Sequence, residues 1–208
     1  MKFTVTLLAL LVNSLLFAQQ PTVPKIDPAN FTVAGRQVAY AGEVAHLNAK
    51  NGAGFLWLNN FTFTNGTIEL DIKGKNTPGQ SFVGMAFHGM NNETYDAVYF
   101  RPFNFKNPER KSHAVQYISI PTYDWPTLRE KHPGKYENTI NPVPDNEEEW
   151  FHARIVVNYP HVKVYVNGSA QPTLEIDQLS NTKQGNLGFW VGNGSEGWFR
   201  NLKITQSK

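Results

Sequence analysis

Apolar side chains recur at every second position along most of this chain, and that period limits its fold more than any other feature. In "TIELDIK", Thr67 to Lys73, Ile68, Leu70 and Ile72 fall on one side and Glu69, Asp71 and Lys73 on the other. Successive side chains of an extended strand point to opposite faces, so this segment reads as a strand with one buried and one wet face. The alternation continues through "RQVAYAGEVAHL", "SFVGMAFHG", "AVYFRPFNF", "HAVQYIS" and "FHARIVVN", then "HVKVYVNG", "TLEIDQL", "NLGFWVG" and "WFRNLKIT". Turn formers separate the runs at Pro78-Gly79, Asn91-Asn92, Tyr159-Pro160, Asn167-Gly168 and Asn193-Gly194. About ten short strands with dense turns imply an all-β sandwich or jelly roll of two antiparallel sheets. The clearest hairpin is "VKVYVNG" followed by "PTLEIDQL", because Asn-Gly suits the positive φ of a tight turn.

One stretch breaks the period. Pro121 to Trp150 is long, and in it Asp124 is placed to cap a short helix with Pro126 in its first turn, ended by His132-Pro133-Gly134. A long ordered insert in a compact β domain is either a functional wall or a surface excursion whose Trp125, Leu128 and Tyr136 pack on an edge.

The first residues have the form of a secretory signal. Lys2 precedes the apolar "VTLLALLV", Asn13 and Ser14 interrupt it before it could span a bilayer, and Ala18 is a small residue at the expected cleavage point. Residues 1–18 are therefore expected to be a signal peptide, 19–30 a Pro-bearing leader, and 31–208 one domain, exported to the periplasm or outside the cell. The chain has no Cys, so neither a lipid anchor nor disulfides enter, and the core alone must hold the fold. A net charge of +2 gives no electrostatic reason to expect nucleic acid as a partner, and no membrane span is expected. The oligomeric state is not specified.

Several chemistries lack their residues. The sequence has no Gly-rich phosphate loop, no helical His-Glu-x-x-His and no Cys nucleophile, and its six His are scattered without ligand spacing. No metal site is expected from them. Ser81 and Ser119 lack the context of a nucleophile elbow. Calcium is the one cofactor that the loop Val191 to Gly197 could hold, through carbonyls and Glu196, although a plain hairpin loop is the simpler reading. Glu147, Glu148 and Glu149 point in different directions from a loop and read as solvated.

"NGTIE", the small-and-aromatic "SFVGMAFHG" and "YDAVYFRPF" together resemble the strands of the concanavalin A-like jelly roll. The C-terminal order "WFHARIVV", "VKVYVNG", "LEIDQL", "GNLGFWVG", "GWFRNLKI" is similar to the laminin G-like and 3-keto-disaccharide hydrolase branches of that superfamily. The resemblance covers essentially residues 31–208 and implies a concanavalin A-like sandwich with one long, partly helical insert. Laminarinase-type members carry Glu-x-Asp-x-x-Glu on one strand, and retaining chemistry needs its two carboxyls roughly 5 Å apart. Here Glu69 and Asp71 match the first two acids, but Lys73, Gly74 and Lys75 follow where the second Glu should stand. In strand order, "YDAVYFRPF" occupies the place of the catalytic strand, and it lacks the paired acids. The retaining mechanism is thereby set aside.

What stands there instead is Tyr99 and Arg101 on one face, with His113 and Tyr117 sharing a face of the next strand, Gln116 opposite, and His88 closing the strand before. Arg offers a planar fork and Tyr or Trp a stacking face. The candidate ligand-binding set is His88, Tyr99, Arg101, His113, Gln116, Tyr117 and Trp125, with Trp125 walling the groove. No catalytic residue is assigned. The expected function is recognition of a poly- or oligosaccharide. Alternatives are a 3-keto-glycoside hydrolase, a polysaccharide lyase using Tyr or His as proton acceptor, and a laminin G-like adhesion domain.

Overall fold

The computed structural model describes residues 20–207; the expected signal peptide, residues 1–18, lies outside them. Among the described residues, fourteen strands form two seven-stranded antiparallel sheets. The first sheet runs β1 (Phe31–Ala34), β4 (Gly54–Leu58), β13 (Asn186–Val191), β6 (Val83–Asn91), β7 (Thr94–Phe100), β8 (Val115–Ile120) and β9 (Glu137–Asn138). The second runs β12 (Leu174–Asp177), β11 (His161–Val166), β10 (Phe151–Asn158), β5 (Asn65–Lys73), β14 (Gly197–Ser207), β3 (Val44–Leu47) and β2 (Val38–Ala41). The sandwich expected from the alternation is therefore present, with more and shorter strands than the apolar runs alone separate.

The inner faces are made by the alternating apolar residues. Ile68, Leu70 and Ile72 of β5 are fully buried, as are Ile155 and Val157 of β10. Aromatic contacts join the sheets: Phe100 meets Phe151 at 5.0 Å, and Phe189 meets Phe199 at 4.8 Å. Burial of each such ring contributes about 1.5–3 kcal/mol. The helix α1 (Trp125–Lys131) forms where the capping pattern places it, with the Asp124 carboxylate accepting from Thr127 N at 3.1 Å. Asn167 and Gly168 take positive φ, but seven residues separate β11 from the paired Leu174, so the tight hairpin is β10–β11, closed by Tyr159-Pro160.

The outer face of the second sheet carries Glu69 and Asp71. Asp71 accepts from His152 Nδ1 at 2.9 Å, Asn201 Nδ2 at 2.7 Å and Arg200 Nε at 3.2 Å, while Glu69 pairs with Lys203 at 3.0 Å. Partial burial pushes the Asp71 carboxyl up, but these hydrogen bonds outweigh it and hold the pKa below its ordinary 3.8. A depressed carboxyl stabilises the fold above its unfolded pKa, and that contribution fades as pH falls through the lower folded value. Asp71→Asn should therefore be less stable than the parent at neutral pH, and the gap should close below about pH 3.8, which urea melts across pH would read. A constant gap at all pH values would contradict this. Glu196 is likewise engaged, by Lys75 at 2.5 Å and His46 at 2.9 Å. Among the described residues no group of three or more His, Cys, Asp or Glu could hold a metal ion, and no helix is long and apolar enough to cross a membrane.

Candidate functional site

The outer face of the first sheet is where unusual side chains gather. In β7, Tyr95 and Tyr99 point outward, and their ladder partners share that direction: Gly84 and Gln116 lie in register with Tyr99. Trp190 is also in register with Gly84, and because Gly84 has no side chain the Tyr99 and Trp190 rings approach to 5.0 Å across it. A Cβ there would sit 2.1 Å from the Val98 carbonyl oxygen and 2.8 Å from Tyr99 Cβ. Trp190 Nε1 donates to Tyr95 Oη at 3.2 Å, which fixes this aromatic floor.

Arg101 follows Tyr99 at the end of β7, where the chain enters a short turn of 3-10 helix, Pro102–Asn104. Its guanidinium donates to the His113 carbonyl at 2.8 Å, to Tyr99 Oη at 2.6 Å and to Gln116 Oε1 at 2.9 Å. All three acceptors are neutral. The residue is only 3% exposed, and burial lowers its pKa from the ordinary guanidinium value. Burial likewise raises the Tyr99 phenol to about 12, so it stays protonated.

The insert brings the counter-charge. Glu137 in β9 accepts three hydrogen bonds from Arg129 of α1, at 2.8 to 3.0 Å, and its Oε2 lies 3.8 Å from Arg101 Nη1. His113 Nδ1 is 2.8 Å from the same oxygen, an ion-pair distance without hydrogen-bond alignment. His113 Nε2 has no hydrogen-bond partner among the described residues. Asn104 donates to the His113 carbonyl at 3.2 Å, and its Oδ1 is buried without a partner.

These groups border a cavity of about 520 Å³ lined by Arg101, Asn104, His113, Trp125, Arg129 and the rim residues Glu109 and Arg110. A second cavity of about 250 Å³ lies over Tyr95, Tyr99, Ile118 and Trp190. Phe82 and Trp125 border both, so the two form adjoining halves of one outer-face groove, one polar and one aromatic. Trp125 is 45% exposed, with the Arg129 guanidinium 4.9 Å from its ring. The insert thus meets both of its readings: Trp125 and Arg129 border the cavity, while Leu128 and Tyr136 are buried against the sandwich.

The structure brings Tyr99, Arg101, His113, Gln116 and Trp125 together and leaves two expected residues out. Tyr117 points between the sheets, fully buried, with its hydroxyl bonded to Asp96 and accepting from Leu179 N. It therefore does not share a face with His113, which sits in a 3-10 turn before β8 begins; Gln116, expected opposite, lies in register with Tyr99 and is fully buried, its Oε1 accepting from Arg101. His88 is also interior: its Nε2 donates to the Thr64 carbonyl at 2.5 Å, and its Nδ1 accepts from Gln178 at 3.1 Å. By simple alternation after Ala86 it would face outward, but it adopts φ 50 at a register shift in β6, which turns it inward. Asp96 in this internal network has its pKa raised by burial, against hydrogen bonds from Ser180 and Tyr117.

Sequence reasoning missed Asn104, Arg129, Glu137 and Trp190. Trp190 was open to discovery, since alternation from the core-facing Phe189 sends it outward. Nothing in the sequence relates Glu137 to Arg101 or His113.

Residues 27–205 match the family of 3-keto-alpha-glucoside-1,2-lyase-like domains. No curated protein matches the chain by sequence. Among solved structures, the carbohydrate binding module CBM66 from Bacillus subtilis superposes with a TM-score of 0.59 at 15% identity, over 84% of this chain and 95% of the module. A glycosidic hydrolase superposes with a TM-score of 0.61 at 13% identity, over 91% and 97%. The VIP36 lumenal domain, solved with Ca2+ and Man3GlcNAc, superposes with a TM-score of 0.59 at 12% identity, over 91% and 89%. At these identities the likeness establishes a shared jelly-roll sandwich.

Proposed function

Since the chain belongs to the family of 3-keto-alpha-glucoside-1,2-lyase-like domains, we propose that the outer-face groove binds a saccharide and that His113 moves a proton there. The observation that carries the reading is the convergence of Arg101, Asn104, His113 and Trp125 on one open cavity of about 520 Å³. A cavity of that size fits a sugar unit, Trp125 offers its ring to the apolar face of the sugar, and Arg101 and Asn104 offer polar contacts to its hydroxyls. Structural likeness to a carbohydrate-binding module and a glycosidic hydrolase supports the class of ligand.

The catalytic reading rests on His113. His113 borders the cavity with Nδ1 2.8 Å from a Glu137 oxygen and with Nε2 unbonded to any described residue, an arrangement open to general acid–base work. In a 3-keto-glucoside the C3 carbonyl acidifies the hydrogen on C2. Elimination breaks the C2–H and C1–O bonds and forms a C1–C2 double bond; the proton passes to His113 Nε2 and then to the departing alkoxide. Atoms and electrons balance without an oxidant or reductant.

Trp125→Ala, at an exposed position, should weaken saccharide binding about tenfold on an oligosaccharide array, given a stacking contribution of about 1–2 kcal/mol. His113→Gln should retain binding and lose formation of the unsaturated keto-sugar from a 3-keto-glucoside. If Trp125→Ala binds as the parent does, the groove is not the saccharide site. Binding with no turnover by the parent would reduce the protein to a binding module.

A further inference from the structure

Arg101 holds a positive charge in a place where charge is costly, and the protein supplies no anion that hydrogen-bonds to it. Its three hydrogen-bond acceptors are a carbonyl, a phenol and an amide oxygen. The nearest carboxylate oxygen, Glu137 Oε2, is 3.8 Å away and already accepts from Arg129 at 2.8 Å. A buried charge is retained at acceptable cost only when it is paired. At the rim of the same cavity, the exposed Arg110 makes no ion pair with any described residue. Three guanidinium groups, of Arg101, Arg110 and Arg129, border the cavity against two carboxylates, Glu109 at the rim and Glu137 behind it. One buried acceptor, Asn104 Oδ1, is unsatisfied beside them.

From this arrangement, and resting on the saccharide reading of the groove, we infer that the natural ligand is an acidic sugar whose carboxylate sits against Arg101 and Arg110, with a hydroxyl donating to Asn104 Oδ1. The exposed Arg110 guanidinium presents parallel N–H donors that match a carboxylate better than a neutral hydroxyl pair does, while Arg101, most of whose donors are committed to Tyr99, Gln116 and the His113 carbonyl, adds its buried charge. The ligand anion completes the charge balance that Glu137 leaves undone.

The test needs no variant at first. The full chain is titrated by calorimetry or ligand-observed NMR with methyl glucuronide, with the methyl ester of the same glucuronide, and with methyl glucoside. The glucuronide should bind at least tenfold more tightly than either neutral sugar, and the ratio should shrink as salt is raised. Arg110→Gln should reduce that ratio severalfold. Arg101→Gln, its fold checked by circular dichroism, should bring the ratio close to one; if this buried variant does not fold, the ester comparison on the parent decides. Equal binding of acid, ester and glucoside would overturn the acidic-sugar inference and leave the saccharide reading standing. Tight binding of a neutral 3-keto-glucoside with none of the glucuronide would do the same. Absence of binding by every sugar would overturn both.

Discussion

Glu137→Ala is expected to destabilise the domain by about 3–5 kcal/mol, the usual cost of removing one partner from a buried charge cluster. The Glu137 side chain is 4% exposed and receives the Arg129 fork, with His113 and Arg101 beside it. Its loss leaves two guanidinium groups facing each other's field, one of them in a site only 3% exposed. The neutral Glu137→Gln keeps the shape and should fall between the two. The Arg129→Ala, Glu137→Ala double variant should lose less than the sum of the single variants, because each single change strands the other partner. Urea denaturation of the parent and the four variants gives these numbers. A loss under 1 kcal/mol for Glu137→Ala would show that the cluster is solvated and would remove the reason for assigning it an orienting role. The same substitution should loosen His113 and Arg101, so any turnover should fall further than binding does.

Phe189→Ala is expected to cost about 3–5 kcal/mol, as large-to-small changes of buried aromatics do. Phe189 is fully buried and lies between Phe31, at 5.6 Å, and Phe199, at 4.8 Å, so its ring joins β13 to both an edge strand and the opposite sheet. The neighbours are themselves held in β ladders and cannot collapse far into the space. For a domain of this size each kcal/mol is worth about 2–4 °C, so a thermal melt should shift down by roughly 6–20 °C. Phe189→Leu should cost less, since most of the volume remains. If Phe189→Ala melts within a few degrees of the parent, the stacked core between the sheets is not the stabilising element that its burial implies.

Much of the architecture is legible in the sequence. The alternation in β5 identified Ile68, Leu70 and Ile72 as inward and Glu69 and Asp71 as outward, and the latter two are in fact tied up with Lys203, Arg200 and His152. Tyr99 and Arg101 were read onto one face by their spacing of two, and they do meet, through a hydrogen bond of 2.6 Å. Asp124, Pro126 and the His132-Pro133-Gly134 stop delimited the helix, because caps and breakers act within one turn of backbone.

Where the reading failed, local geometry reset the count. Alternation counted from His113 put Tyr117 in the groove, but His113 belongs to a 3-10 turn and the count starts at Val115. Alternation through β6 would put His88 outside, but its positive φ at the register shift turns it in. Both are errors of phase, which in a strand exchanges the two faces.

By itself, the sequence determined the β class, the buried side of regular strands such as β5, the insert's helix, and that Lys73, Gly74 and Lys75 stand where a retaining pair would place its second Glu. These follow from period, capping and residue type, which depend on neighbours a few positions apart. Only the tertiary structure decided that the groove lies on the outer face of the first sheet, and that Glu137 neutralises Arg129 behind His113 while Arg101 stays without a bonded anion. Those relations join β7, the turn before β8, α1 and β9, and they depend on ladder register and on how the insert folds back. Side-chain period carries no information about either.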